Sequence, residues 1–323
     1  MHKVFLKCPR IARTMDAGIR TSIFMAAIFA ISQLGAIAMA ASVLGTDVRL
    51  FKNPDDPLIP LYYIAGILLF TFVSLYIIKK KRESIVRYIF LGAVIYTIFF
   101  VLFVTSARIL GDLVGLVLSL AVTGLLTYYL VKKPEWYVID ATGVLMSVGI
   151  IGIFGISLSI LPVIVLLVAL AIYDAISVYG TKHMIALAEG VTKMRLPILL
   201  VIPKKRGYSY LTQRPLMEKL PEGEEREAMF MGLGDIIIPG VLVVSAFSFL
   251  PELSADGVSG PFIVALGTIV GALAGFAALM TFVMKGRPQA GLPLLNGGAM
   301  IGYALTYLAV YQDLSFGITW PWG

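Results

Sequence analysis

Residues 228–250 read AMFMGLGDIIIPGVLVVSAFSFL, an apolar run of 23 residues with one charged side chain, Asp235. A helix crossing roughly 30 Å of hydrocarbon needs about 17–25 such residues, so this run predicts a membrane span. Working outward, eight more stretches have the same character. The nine spans fall at about 21–44, 58–78, 88–104, 114–131, 138–156, 160–178, 228–250, 261–284 and 291–311. The composition agrees. Apolar residues make up 59% of the 323, against about 45–50% in a soluble domain. Charged residues make up 14%, against about 25%, and the mean hydropathy is +0.92. The fold class expected is an all-α membrane protein: nine transmembrane helices in one polytopic membrane domain, 1–323, with no internal repeat.

The loops set the orientation. Of the 26 lysines and arginines, 23 lie on the side that receives the N-terminal tail, the second loop and the long 181–227 segment. Only Arg49, Lys52 and Arg108 lie on the other side. Basic residues stay in the cytoplasm, so the N-terminus is expected there and the C-terminus outside. The net charge of +7 is then a topology signal placed near anionic headgroups, and no nucleic-acid partner is expected. Ala38-Met39-Ala40 resembles a signal-peptide cleavage site, but the apolar run before it exceeds the usual length and continues past it. It is expected to remain uncleaved. Gly152, Gly155, Ser157, Ser159 and Pro162 predict a tight turn between spans five and six. The 181–227 loop is expected to hold an amphipathic helix at 184–194, an apolar stretch at 196–202 and a polar run at 221–225.

Most of the 19 acidic residues lie in loops or at span ends. Two lie inside spans: Asp174, in Tyr173-Asp174-Ala175-Ile176, and Asp235, in Gly232-Leu233-Gly234-Asp235. A carboxylate at mid-bilayer costs at least ~2.5 kcal/mol and is a functional hypothesis by default. The plainer reading is a polar contact between helices, but no Lys, Arg or His lies in a span core to pair with either acid. Counted from the span ends at 1.5 Å per residue, the two carboxyls are expected about 6 and 10 Å inside the same cytoplasmic boundary. Antiparallel neighbouring helices then bring them face to face. Two carboxylates in contact share a proton. Such a pair can deprotonate a water and protonate a carbonyl oxygen. Gly232 and Gly234 let another backbone approach closely, and Pro239 leaves the Asp235 carbonyl without its helical donor.

Tyr173-Asp174 and Gly232-Leu233-Gly234-Asp235, on consecutive spans, resemble the YD and GxGD motifs of the presenilin and signal peptide peptidase family of intramembrane aspartyl proteases. The nine-span count and the long loop between spans six and seven are similar too. The family's Pro-Ala-Leu motif before span nine is altered here to Ala290-Gly291-Leu292, followed by Pro293. The resemblance implies an aspartic endopeptidase that hydrolyses peptide bonds within transmembrane helices. It makes Asp174 and Asp235 the catalytic pair. Tyr173, Gly232, Leu233, Gly234, Ala290, Gly291, Leu292 and Pro293 become motif and substrate-positioning residues. No metal and no cofactor are implied. The orientation resembles presenilin rather than signal peptide peptidase, and the short chain points to a minimal microbial homologue, in which case it would reside in the cell membrane.

The rival reading is a proton- or cation-coupled transporter, or a cation-leak channel, using the same two acids near a broken helix. Against it stand the odd span count, the absence of a repeat and the displacement of both acids towards one face. A zinc protease would need H-E-x-x-H, which neither His2 nor His183 provides. A serine protease would need a histidine inside a span. The single cysteine, Cys8, excludes an intrachain disulfide. Expected partners are transmembrane helical substrates and the lipid bilayer, with a homo-oligomer left open. A substrate helix must be unwound before attack, and strand addition to an exposed backbone edge would satisfy its freed groups. Two segments are expected to offer that edge: Ala290–Leu292, held extended before Pro293, and Tyr208–Thr212, rich in strand-favouring residues.

Overall fold

The computed structural model describes residues 9–45, 48–51, 53–80, 83–181, 197–205, 207–212, 227–255, 258–284 and 289–318. The expected amphipathic helix at 184–194, the polar run at 221–225 and His183 lie outside them. Nine α-helices stand among the described residues. Six precede the long loop: α1 (Pro9–Val43), α2 (Ile59–Lys79), α3 (Glu83–Leu110), α4 (Asp112–Lys132), α5 (Trp136–Ser157) and α6 (Ile160–Ile176). Three follow it: α7 (Leu233–Phe249), α8 (Gly260–Met284) and α9 (Gly291–Tyr311). Among the described residues, 7 helices are long and apolar enough to cross a membrane, and α2 and α7 contribute shorter apolar stretches.

The turn expected between the fifth and sixth spans is present. After Ser157 the backbone extends through Leu158 and Ser159 before α6 begins. Pro162 falls in the first turn of α6, where its missing N–H has no helical partner to lose. The junction is tied down from two sides, by the Leu50 N–H donating to Ser157 Oγ at 2.8 Å and Ser245 Oγ donating to the Leu158 carbonyl at 2.8 Å.

The seventh span departs from expectation. Its first five residues are not helical but form strand β2 (Ala228–Gly232), paired antiparallel with β1 (Leu199–Pro203) from the apolar stretch of the long loop. An unbroken apolar run does not distinguish strand from helix. Here Leu199-Leu200-Val201-Ile202 supplies a partner strand, and pairing wins. Helix α7 is therefore only 17 residues long, about 25 Å at the α-helical rise. It sits at the centre of the molecule, packed by α1, α5, α6, α8 and α9, with the run Pro239–Ala246 buried throughout. A second, two-residue pair, β3 (Ser254–Ala255) with β4 (Val258–Ser259), turns the chain into α8.

Helices α8 and α9 form the closest pair in the bundle. Gly271 faces Gly298 and Gly302 across it, and a Cβ on Gly271 would collide with backbone atoms of both, including the Gly302 amide nitrogen 2.9 Å away. Backbone cannot rotate aside as a side chain can. Gly271→Ala is therefore expected to push the helices apart and destabilise the protein by about 1–3 kcal/mol. Thermal unfolding in detergent would detect this, whereas Gly124→Ala, with open space around its Cβ position, should leave the midpoint unchanged.

Candidate active site

Both acids singled out in the sequence come to the same place, the first turn of α9. Asp174 lies near the end of α6, just before the helix widens into a π-helical turn at Ser177–Thr181. Its side chain is 4% exposed. Its Oδ2 accepts the Leu292 N–H at 3.0 Å, with the Gly291 N–H beside it. Asp235 stands in the first turn of α7, directly after the strand. A Cβ placed on Gly291 would lie 3.4 Å from Asp235 Oδ1 and 3.5 Å from its Oδ2. The two carboxyls thus flank Gly291 and are close enough to interact electrostatically.

This arrangement corrects two expectations. Asp235 is not two turns deep within a helix; β2 occupies the residues that would have formed those turns. Gly291 and Leu292 are not extended but helical, with Ala290 as N-cap. The bias of the residue before proline is overridden because Pro293 falls in the first turn, where no N–H is needed. The cap residue offers no side-chain hydrogen bond, and Asp174 supplies the missing acceptor from another helix. An anion at a helix N-terminus is electrostatically favoured.

The remaining motif residues divide by position. Gly232 ends β2 and caps α7, with its Cβ position 3.6 Å from Asp235 Oδ2. Leu233 is buried, and a Cβ placed on Gly143 of α5 would lie 3.2 Å from its Cδ2. Gly234 is exposed, with nothing within 4 Å of its Cβ position, so space remains open beside Asp235. Ala290 is buried. Tyr173 does not join the acids; it is 46% exposed, on the outer face of α6. The segment at 208–212 is not a strand, since Tyr210–Thr212 form one 3-10 turn. Among the described residues, no three His, Cys, Asp or Glu side chains are grouped to hold a metal ion.

The family described as signal-peptide peptidase, presenilin aspartyl protease matches residues 26–311, a span that contains Asp174, Asp235 and Gly291. The chain belongs to this family. Two solved structures of presenilin-family intramembrane aspartate proteases resemble it over nearly their whole length. One, in space group C222, is 33% identical with a TM-score of 0.65, covering 89% of this chain and 99% of that one. Another, in space group P2, is 36% identical with a TM-score of 0.61, covering 88% and 96%. No curated protein matches the chain. As a presenilin-family protein it is a multi-pass integral membrane protein of an aspartyl protease family, and the transporter reading gains no support.

Three buried polar residues that the motifs did not flag brace this presenilin-type site. Gln33 of α1 donates through Nε2 to the Ile236 carbonyl at 2.9 Å, one residue beyond Asp235. Asn296 of α9 donates through Nδ2 to the Leu167 carbonyl of α6 at 2.9 Å, two turns before Asp174. Asp140 of α5 accepts the Val201 N–H at 2.7 Å and so fastens the middle of β1 to the bundle. Its Oδ2 is buried with no hydrogen-bond partner among the described residues. The available signal was a polar side chain inside an apolar helix; Asp140, at the start of the expected span 138–156, was read as a span-end acid.

Removing the Asp140 acceptor leaves a buried N–H unpaired, which costs about 1–3 kcal/mol. Asp140→Ala is expected to lower the thermal midpoint and loosen the hairpin. Asp140→Asn, which keeps an acceptor oxygen, should recover most of the loss. Equal midpoints for the Ala variant and the wild type would rule out this anchoring role.

Proposed function

We propose that this protein is an aspartic endopeptidase that hydrolyses peptide bonds within the transmembrane helices of other membrane proteins, with Asp174 and Asp235 activating one water between them. The observation that carries this reading is the convergence of both carboxyls on Gly291, from two different helices, beside the open space at Gly234. In the reactive state the pair holds a single proton. The carboxylate takes a proton from water as its oxygen attacks the scissile carbonyl carbon, and the carboxylic acid gives its proton to the carbonyl oxygen. Collapse of the tetrahedral diol breaks the C–N bond: the protonated acid gives its proton to the leaving amine while the carboxylate takes one from a diol hydroxyl, so the pair again holds a single proton.

The depth of the site suits an intramembrane substrate. On this reading α2 and α7 complete nine crossings, with the N-terminus in the cytoplasm and the C-terminus outside, as the distribution of lysine and arginine requires. Both acids then lie near the cytoplasmic end, where water can reach them and where β2 leads into Asp235. Strand addition of the substrate is assigned to that hairpin rather than to residues 290–292 or 208–212. The test is incubation of the detergent-purified protein with a panel of transmembrane peptides and mass analysis of the products. The expected result is paired fragments from hydrolysis within the apolar stretch. Intact peptides throughout, from a folded protein, would refute the reading.

A further inference from the structure

A cleft of ≈ 670 Å³ opens where α1, α5 and the segment after β1 meet. Arg20 and Phe24 of α1, Trp136 of α5, and Lys204, Lys205 and Tyr208 line it. Three cations from two separate parts of the chain therefore share one concave wall. Two acids beside the cleft, Glu227 and Glu135, make contacts of their own. Glu227 pairs with Lys205 at 3.0 Å, both side chains being mostly exposed, so that pair contributes little. Glu135 accepts Ser209 Oγ at 2.8 Å and the Tyr210 N–H at 3.1 Å. Burial, followed by Tyr210 and the Glu227 and Glu135 carboxylates, holds the Tyr208 hydroxyl well above its ordinary range, so it stays neutral and able to donate.

The cleft continues into an apolar track. Arg20, Phe24, Ala27, Ile31, Leu34 and Ala38 are all exposed, and their steps of four and three place them on one face of α1. From Arg20 to Ile31 this face runs about 16 Å at the helical rise, about half the ~30 Å hydrocarbon thickness and thus the depth of one leaflet. The helix is long and apolar enough to span from Gly18 onward, which puts Arg20 at the boundary. Trp136 and Tyr208 add the amphipathic rings typical of that level.

We propose that this cleft binds one anionic phospholipid, its phosphate between Arg20 and Lys204 and an acyl chain along the Phe24–Ile31–Leu34 face of α1. The cationic wall selects an anionic over a zwitterionic headgroup, and the apolar track selects a lipid over free phosphate. The bound headgroup bridges α1 to the end of β1, so it steadies the hairpin that leads to Asp235.

The test reads binding and stability, not proteolysis, so it is independent of the proposed reaction. Detergent-purified, delipidated protein is titrated with phosphatidylglycerol, phosphatidylcholine, glycerol phosphate or inorganic phosphate, following the thermal midpoint and lipid retention by native mass spectrometry. Phosphatidylglycerol alone should raise the midpoint and remain bound as a single adduct. Arg20→Gln with Lys204→Gln should weaken that binding roughly thirtyfold, and Lys204→Gln alone, the milder variant, should weaken it roughly fivefold. Lys132→Gln with Lys133→Gln, exposed basic residues outside the cleft, should bind as the wild type does. Equal stabilisation by phosphatidylcholine, or unchanged binding in Lys204→Gln, overturns the proposal. Stabilisation by inorganic phosphate as strong as by phosphatidylglycerol overturns the lipid assignment in favour of a phosphate site.

Discussion

Asp174→Asn and Asp235→Asn are each expected to reduce cleavage of a transmembrane peptide to background while leaving the protein folded. The loss should be at least about a hundredfold and up to ten-thousandfold, the range for removing a positioned acid or base. Both groups are needed because one must be ionised and the other protonated in the same encounter. The double variant should be no slower than either single one, since groups that act as a unit are not additive. Stability should not suffer. Asn keeps an oxygen to accept the Leu292 N–H that Asp174 accepts at 3.0 Å, and its neutral amide can still hydrogen-bond the remaining carboxyl. For the wild type, the rate against pH should be bell-shaped, falling on the acid side as the pair becomes doubly protonated and on the alkaline side as both ionise. Substantial turnover by either Asn variant, or a monotonic pH profile, would remove the pair from the mechanism.

The two acids were legible because the surrounding sequence made them anomalous. A carboxyl within Ala171–Ile176 or Leu233–Ile238 has no solvated place to go in a membrane helix, whatever the rest of the chain does. Most helix positions were legible for the same reason: apolar length against about 30 Å of hydrocarbon places α2, α4, α5, α6, α8 and α9 within two residues of their observed bounds, whereas α3 runs five to six residues further at each end. The β1–β2 hairpin was not legible. Residues 228–232 continue the apolar character of α7 without a break, and their strand conformation depends on a partner about 30 residues earlier in the chain, as the register Leu199↔Gly232 requires. The helical first turn of α9 was hidden by a local rule. The residue before a proline is biased away from helix, yet Leu292 is helical, with Pro293 in the first turn of α9 and its own N–H accepted by Asp174 of α6. Such long-range pairings of backbone with side chain leave no trace in the local pattern.

The hairpin carries the second large effect expected. The register pairs Val201 with Phe230, while Lys204 N–H donates to the Glu227 carbonyl at 2.7 Å and Leu233 N–H to the Ile198 carbonyl at 3.0 Å. Antiparallel pairing alternates, so residues 227, 229, 231 and 233 turn their N–H and C=O groups towards β1, and Ala228, Phe230 and Gly232 turn theirs away. The outward Val201 N–H of β1 is already taken by Asp140. The outer edge of β2 has no strand partner among the described residues, and it runs straight into Asp235. Exposed edges invite another strand, and an unwound substrate needs one. Phe230→Pro deletes one outward N–H and places a ring on that edge, yet touches no rung of the β1–β2 ladder, a position where an edge strand tolerates proline. It is expected to lower turnover about tenfold or more relative to Phe230→Ala, combining a lost hydrogen bond of about 0.5–1.5 kcal/mol with steric exclusion, at an equal thermal midpoint. Met229→Pro, by contrast, removes an inward rung and should lower the midpoint itself. If Phe230→Pro and Phe230→Ala cleave at the same rate, the substrate does not pair with β2, and its unwound backbone must be held by another part of the site.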